Sequence, residues 1–383
     1  MLRISVIAGL IAGIALSPGL WLSSRFYPLT PVWSFIRPSG SPMEYVIFSA
    51  LIVMLIAVAV APRRGLVMAL FALLAWVALQ DQSRWQPWFY QYAVMLLVIA
   101  IAGRHRPSAA LNSCCLIVAA TYIWSGVAKL NPNFMGDTFP WLLAPLIGTS
   151  SATAQWLARH LACAAPILEC AAGIGLLTRR WRHAAVFGAI AMHVFILIVI
   201  GPLGRRYNVV VWPWNLAMIA FLLILFFRRR DQPAPLDIIW GRGLAQKFAF
   251  VLFGVMPALN WFNLWDHDLS SALYSGNRNS ATVYLSDAVF DRLPEAIQDH
   301  VYVGEPNRSE LDIDDWSFGE MNVPAYPEVR IYRNVARSIC GYAPDGSGVE
   351  LVVQGKLALF QGNRRLVCHC SDLEPSQPIG VER

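Results

Sequence analysis

The sequence predicts an all-α polytopic membrane core of about nine transmembrane helices, followed by a C-terminal extracytoplasmic α+β (mainly β) domain. Three observations lead there. Of 383 residues, 56% are hydrophobic and 14% charged, with a mean hydropathy of +0.48, whereas soluble domains carry roughly 25% charged residues. Long apolar stretches recur up to about residue 263 and then stop. Charge divides at the same place: residues 1–263 hold 20 Lys/Arg and 6 Asp/Glu, and residues 264–383 hold 10 and 18. The chain is therefore read as a transmembrane helical domain, 1–263, and an extracytoplasmic domain, 264–383. The pI near 9.0 reflects basic loops of a membrane protein, so nucleic acid is not an expected partner and the lipid bilayer is.

A helix needs about 20 apolar residues to cross the hydrocarbon core. The candidates are Ile4–Leu22, Met43–Ala61, Gly65–Leu79, Trp88–Gly103, Ala109–Leu130, Ala154–Leu177, Ala184–Leu203, Val209–Phe227 and Leu244–Phe262. The third and fourth are short. The first has a second reading, because "MLRISVIAGLIAGIAL" before "SPG" has the charged start and apolar centre of a signal peptide, although no clean small-x-small site follows. Orientation follows from the basic residues. With a cytoplasmic N-terminus, the inside segments contain Arg3, Arg63, Arg64, Arg104, Arg106, Arg179, Arg180, Arg182, Arg228, Arg229, Arg230, Arg242 and Lys247. The outside segments contain only Arg25, Arg37, Arg84, Lys129, Arg159, Arg205 and Arg206. An odd number of spans then puts the C-terminus outside.

Beyond Trp265 the pattern changes. "ATVYLS", "EVRIYR", "GVELVVQG" and "KLALFQG" have strand-like composition, separated by turns such as "APDGSG" and "QGNRR", while "DAVFDRLPEAIQDH" reads as a short helix. "DIDDWSFGE" lacks the glycine of an EF-hand loop and reads as a solvated acidic loop. Cys114, Cys115, Cys163 and Cys170 lie in spans, where a thiol is a small apolar filler. Cys340, Cys368 and Cys370 lie in the external domain, where a bridge can persist. Cys340 is expected to pair with Cys368 or Cys370, with Cys368 preferred, and the spacing fits no common zinc site, so no metal is expected.

The stretch "TYIWSGVAKLNPNF" ends an apolar run with a lysine. At 100° per residue, Ser125 and Tyr122 share the helix face of Lys129. Desolvation there suits a general base, whereas a lysine at a helix end also serves simply to snorkel its ammonium to the interface. Glu169 and His193 sit centrally in their spans, where an ionisable group costs at least ~2.5 kcal/mol and so marks a candidate site, or else a hydrogen bond between helices. In "GPLGRRYNVVVWPWN", Trp212, Trp214 and Tyr207 read as an aromatic belt; the alternative is an outward pocket in which Arg205, Arg206, Asn208, Trp212 and Asn215 meet a small anionic or quinone-like ligand.

"YIWSGVAKLNPNFMGD" resembles the signature of the vitamin K-dependent γ-carboxylase and its HTTM-type bacterial relatives. The matching positions are Tyr122, Ser125, Gly126, Lys129, Leu130, Asn131, Asn133, Phe134 and Gly136. The resemblance implies a multi-span core, a reduced quinone such as vitamin K as cofactor, and Lys129 as the base that deprotonates it, with Tyr122, Ser125 and Asn131 around it. Asn in place of both signature aspartates and Phe in place of the Trp depart from the pattern. The expected function is thus a carboxylase-like, quinol-using membrane enzyme with Lys129, Glu169 and His193 as its catalytic set. The alternatives are a non-catalytic scaffold presenting its external domain to a protein partner, and a DoxX-type redox or transport component.

Overall fold

The computed structural model describes residues 1–103, 107–148, 151–229, 231, 233–241, 243–305, 307–357 and 365–373. The chain divides into two compact units. One comprises Met1–Leu16, Ser49–Trp76 and Gln86–Asn277; the other comprises Ser17–Phe48, Val77–Trp85 and Arg278–Arg383. In chain order the helices up to residue 249 are α1 (Leu2–Leu16), α2 (Pro18–Trp21), α3 (Met43–Val60), α4 (Arg64–Gln80), α5 (Pro87–Ala102), α6 (Pro107–Ala128), α7 (Phe139–Ile147), α8 (Ala152–Leu177), α9 (Arg182–Ile200), α10 (Val211–Leu222), α11 (Pro235–Ile239) and α12 (Leu244–Ala249).

Among the described residues, five helices are long and apolar enough to cross a membrane: α3, α6, α8, α9 and the run Leu244–Phe262 that α12 begins. Leu2–Leu16, Arg64–Gln80, Pro87–Ala102 and Val211–Phe227 are apolar but shorter. The protein is a multi-pass helical membrane protein. The expected first span is shorter than its apolar stretch, because Pro18 starts the separate helix α2 after Leu16. Of the basic residues that set the expected orientation, Arg104, Arg106, Arg230 and Arg242 lie outside the described residues.

The first unit is built around α6, in which Cys114, Cys115, Val118 and Ala119 have no exposed surface. Small residues decide which helices touch it. A Cβ on Gly126 would stand 2.7 Å from Pro166 O and 2.5 Å from Cys170 Sγ, and one on Gly173 would stand 2.8 Å from Ala119 O. Glycines at 126 and 173 therefore let the backbones of α6 and α8 approach closely, as in other membrane helix pairs. On another side Gly9 and Gly13 of α1 lie against the rings of Tyr92 and Trp88 of α5. Polar side chains link further helices: Trp214 Nε1 donates to Gln91 Oε1 at 2.7 Å, and Gln91 Nε2 donates to Thr121 Oγ1 at 3.1 Å.

The second unit contains an antiparallel five-stranded sheet. Its strands are β1 (Ser280–Leu285), β2 (Val301–Glu305), β3 (Arg308–Asp312), β4 (Val349–Gln354) and β5 (Arg365–His369), in the order β2-β3-β1-β4-β5. Alternation in β1 turns Ala281, Val283 and Leu285 inward, as its sequence requires. The helices here are α13 (Asp287–Phe290), α14 (Glu295–Gln298), α15 (Ile313–Met321) and α16 (Val329–Cys340).

Two local expectations are corrected. "EVRIYR" opens α16 rather than a strand: Ile331, Tyr332, Val335, Ala336 and Ile339 are all buried, a 3.6-residue stripe that outweighs the β-branched composition of its first turn. The acidic run at 312–320 is no loop, because Asp312 caps α15 by accepting from the backbone N–H groups of Asp314 and Asp315. The strand expected in "KLALFQG" falls mostly outside the described residues.

Segments 17–48 and 77–85, which connect apolar helices, complete this unit through a buried charge cluster. Asp81 has no exposed surface. Its carboxylate pairs with Arg25 at 2.5 Å and accepts from Thr30 N, Thr30 Oγ1 and Ser83 N. Arg84 donates to the carbonyls of Leu20, Trp21 and Val77. Burial pushes the Asp81 carboxyl up, but the Arg25 and Arg84 guanidiniums outweigh it and hold the group below the ordinary carboxylate range. The disulfide joins Cys340 to Cys370, across a separation of 30 residues. Cys368, the preferred partner at the sequence level, is instead buried within β5 opposite Leu351, which leaves Cys370, just past the strand end, to meet the end of α16.

Candidate functional site

The polar residues singled out in the spans fall into two clusters inside the first unit. The close approach of α6 and α8 at Gly126 brings Lys129 to Glu169. Lys129 Nζ donates to Glu169 Oε2 at 2.8 Å, to Ser125 Oγ at 2.5 Å and to Ser125 O at 3.4 Å. Both side chains of the ion pair are 12% exposed. Lys129 thus binds back into its own helix and across to α8, and both residues lie in the wall of an apolar groove of about 910 Å³.

The second cluster runs from α6 through α9 to α10. Tyr122 OH is 2.5 Å from His193 Nε2, and His193 Nδ1 is 2.7 Å from Asn215 Oδ1. Asn215 Nδ2 donates to Val211 O at 2.9 Å, which leaves its Oδ1 as the acceptor. The proton of neutral His193 therefore sits on Nδ1, and the Tyr122 hydroxyl donates to Nε2. The spacing of Tyr122 on the Lys129 face suggested one shared site. The tyrosine instead donates its hydrogen bond to His193 of α9, while Ser125, about one turn along, stays with the lysine.

The remaining candidates separate. Asn131 donates to Ala128 O and Ser275 O at 2.8 Å and accepts from Phe134 N at 3.0 Å, so it closes the turn after α6. The side chain of Asn133 reaches Gly276 O at 3.3 Å. Arg205 donates to Trp141 O, with its guanidinium 4.5 Å from the centre of that indole. Arg206 turns back to Pro202 O, Asn208 is buried with its Oδ1 unpartnered, and Trp212 Nε1 donates to Tyr207 O at 3.2 Å. These residues face different partners.

A third constellation was not anticipated. His267 Nδ1 lies 3.0 Å from Asp268 Oδ1, and its Nε2 lies 3.2 Å from Ser275 Oγ. The connectivity is that of a serine-nucleophile triad. Ser275 is only 2% exposed, however, and its Oγ also accepts from Asn277 N, so the hydroxyl serves the turn. The clue in the sequence was the polar run "DHDLSSALYSG" directly after the last apolar stretch. Among the described residues, no group of three or more His, Cys, Asp or Glu is arranged to hold a metal ion.

Residues 107–211 match the family model described as methylamine utilisation protein MauE, over about a quarter of the chain. No curated protein and no solved structure matches. The matched segment contains α6, α8 and α9, and with them Tyr122, Ser125, Lys129, Glu169 and His193. This finding corrects the expected kinship with the γ-carboxylase and HTTM group, and with it the carboxylase function, since the motif that carried that resemblance lies within the MauE-like segment. Packing accounts for the shared residues: Gly126 permits the α6–α8 approach and Asn131 closes a turn.

Proposed function

We propose that this chain is a non-catalytic membrane component, similar to the methylamine utilisation protein MauE in its central helices, which presents its C-terminal unit to other proteins of such a system. The observation that carries this reading is the construction of that unit. Segments 17–48 and 77–85, between apolar helices, share a compact unit with residues 278–383 and are tied to one another by the Arg25–Asp81 pair. A platform assembled this way is tethered at several points along the chain. On β2, an edge strand, Tyr302 and Val303 are 72% and 63% exposed, and such an edge can bind a partner strand.

The same arrangement supports a membrane topology. Segments 17–48 and 77–85 and the C-terminal region must share one side of the membrane. They do so if the four shorter apolar helices cross as well as the five long ones, which makes nine spans, and the excess of basic residues in the segments expected inside supports a cytoplasmic N-terminus. A reporter active only outside the cytoplasm should be on after Arg383 and off within 228–242; the reverse pair of signals refutes the orientation.

The functional test is complementation of a strain lacking the gene, scored by growth on methylamine. A scaffold needs Lys129 only as a cation facing Glu169, so Lys129→Arg should complement fully. Tyr302→Glu with Val303→Glu should abolish growth at normal protein level. Loss of growth with Lys129→Arg and retention with the edge variant would overturn the proposal. The redox alternative has one observation in its favour, a third thiol two residues from a disulfide cysteine, with Arg333 donating to Cys368 Sγ at 3.7 Å. Growth that requires Cys368, with the fold intact, would favour that alternative.

A further inference from the structure

The groove that holds the Lys129–Glu169 pair has no use in the scaffold reading. It runs along α8 from Leu161 to Thr178 and against α9, with Trp181 and Phe195 also in its lining. At 1.5 Å per residue, the α8 side is about 26 Å long, close to the hydrocarbon thickness of a bilayer. Its lining includes small residues such as Ala165, Ala172, Gly175 and Gly188. Neighbouring Leu168, Ile174 and Phe187 are more than half exposed, so the groove opens on a surface suited to lipid.

Polar side chains are few in this apolar lining, and Glu169 is one of them. Glu169 is 9% exposed. Its Oε2 is taken by Lys129, while among the described residues its Oε1 accepts no hydrogen bond, and the residue lines the groove. A carboxylate oxygen held at membrane depth with an open acceptor site is costly unless something donates to it. All three donors of Lys129 already have acceptors in Glu169 and Ser125, so the ammonium does not supply that bond.

We propose that the α8–α9 groove binds a single-chain membrane amphiphile whose head group, a hydroxyl, donates a hydrogen bond to Glu169 Oε1, with its chain lying towards Trp181. The chemistry is that of a long-chain alcohol, free or as the glycerol hydroxyl of a monoacyl lipid. From Glu169 to Thr178 is nine residues, about 13 Å of groove, which sets the chain length it accommodates. A volume of about 910 Å³ is that of a small-molecule site. A partner's transmembrane helix, 10–12 Å across with its side chains and about 26 Å long, occupies roughly twice that volume or more.

Gly188 allows a clean test, because a Cβ placed there meets no atom within 4 Å, so Gly188→Phe fills the groove without moving the backbone. The full-length protein in detergent is titrated with 11-bromoundecan-1-ol, whose bromine quenches Trp181; the Trp181→Phe variant gives the background from the other tryptophans. Quenching should saturate, with half-saturation about five-fold or more below that of 1-bromoundecane, the effect of one hydrogen bond. Gly188→Phe should raise the half-saturation point at least as much. The double variant Lys129→Met/Glu169→Leu, which strands no charge, should lose the preference for the alcohol. A brominated 1-monoacylglycerol of the same chain length that saturates lower than the alcohol identifies the lipid-borne hydroxyl as the source. Unsaturable quenching, equal behaviour of alcohol and bromoalkane, or indifference to Gly188→Phe would overturn the proposal. So would a photo-crosslinker at position 188 that captures a protein's membrane helix in native membranes.

Discussion

Removing one partner of the Lys129–Glu169 pair should destabilise the membrane unit far more than removing both. The charges are 2.8 Å apart with side chains 12% exposed. At an effective dielectric near 20 their attraction is about 6 kcal/mol, and each ion alone at membrane depth costs on the order of 2.5–3.5 kcal/mol. Lys129→Met leaves Glu169 alone, and Glu169→Gln leaves Lys129 with only Ser125, so each single variant should lose about 3 kcal/mol. The double variant leaves no charge and should lose much less than the sum, giving a coupling energy above ~2 kcal/mol. The assay is reversible unfolding of the full-length protein in mixed dodecylmaltoside–SDS micelles, read by tryptophan fluorescence at fixed ionic strength. Additive losses would refute the reasoning, because they would mean that each charge finds water or headgroups on its own and that the pair is incidental.

Asp81→Ala should cost about 3–5 kcal/mol in the second unit, since it leaves Arg25 and Arg84 buried without their counter-ion; a loss below ~1 kcal/mol in thermal unfolding would show that water reaches the cluster. Burial, with Asp312 nearby, raises the Asp314 carboxyl to about 6 from 3.8 despite the opposing pull of Arg278. A raised acid binds its proton more tightly in the folded state, so its stabilisation is present in acid and disappears as the pH climbs from about 4 to about 6. Asp314→Asn should therefore gain on the wild type across that window, by up to about 3 kcal/mol, and a pH-independent difference in unfolding would contradict the assignment. Non-reducing digestion should link the "SICGYAP" peptide to Cys370, with Cys368 alkylated only after unfolding. Losing that bridge should cost about 3–4 kcal/mol for its loop length.

The membrane character of this protein was legible from composition alone, because a bilayer imposes one demand, runs of apolar residues, which needs no knowledge of neighbours. Lys129, Ser125 and Glu169 were visible for a related reason: a charge or hydroxyl in such a run stands out against its surroundings. Their partners were not. Glu169 could face any helix, and it meets Lys129 because Gly126 and Gly173 let α6 and α8 touch, a contact across 40 residues that no local pattern encodes. The sharing of Tyr122 and Lys129 between two clusters was hidden likewise, since residues on one helix face can still point to different neighbours. In the second unit, local composition found β1 and β4 but misread α16, whose stripe shows only over its full length. The choice of Cys370 over Cys368 followed from strand register, the joining of 17–48 to 77–85 rested on Asp81 finding Arg25 across 56 residues, and their joining to the C-terminal region rested on bonds such as Tyr27 N to Glu320 and Arg330 to Gln82. Sequence by itself determined which segments avoid water; only tertiary structure decided which polar groups meet, because hydrophobic burial is additive along a chain and ion pairing is not.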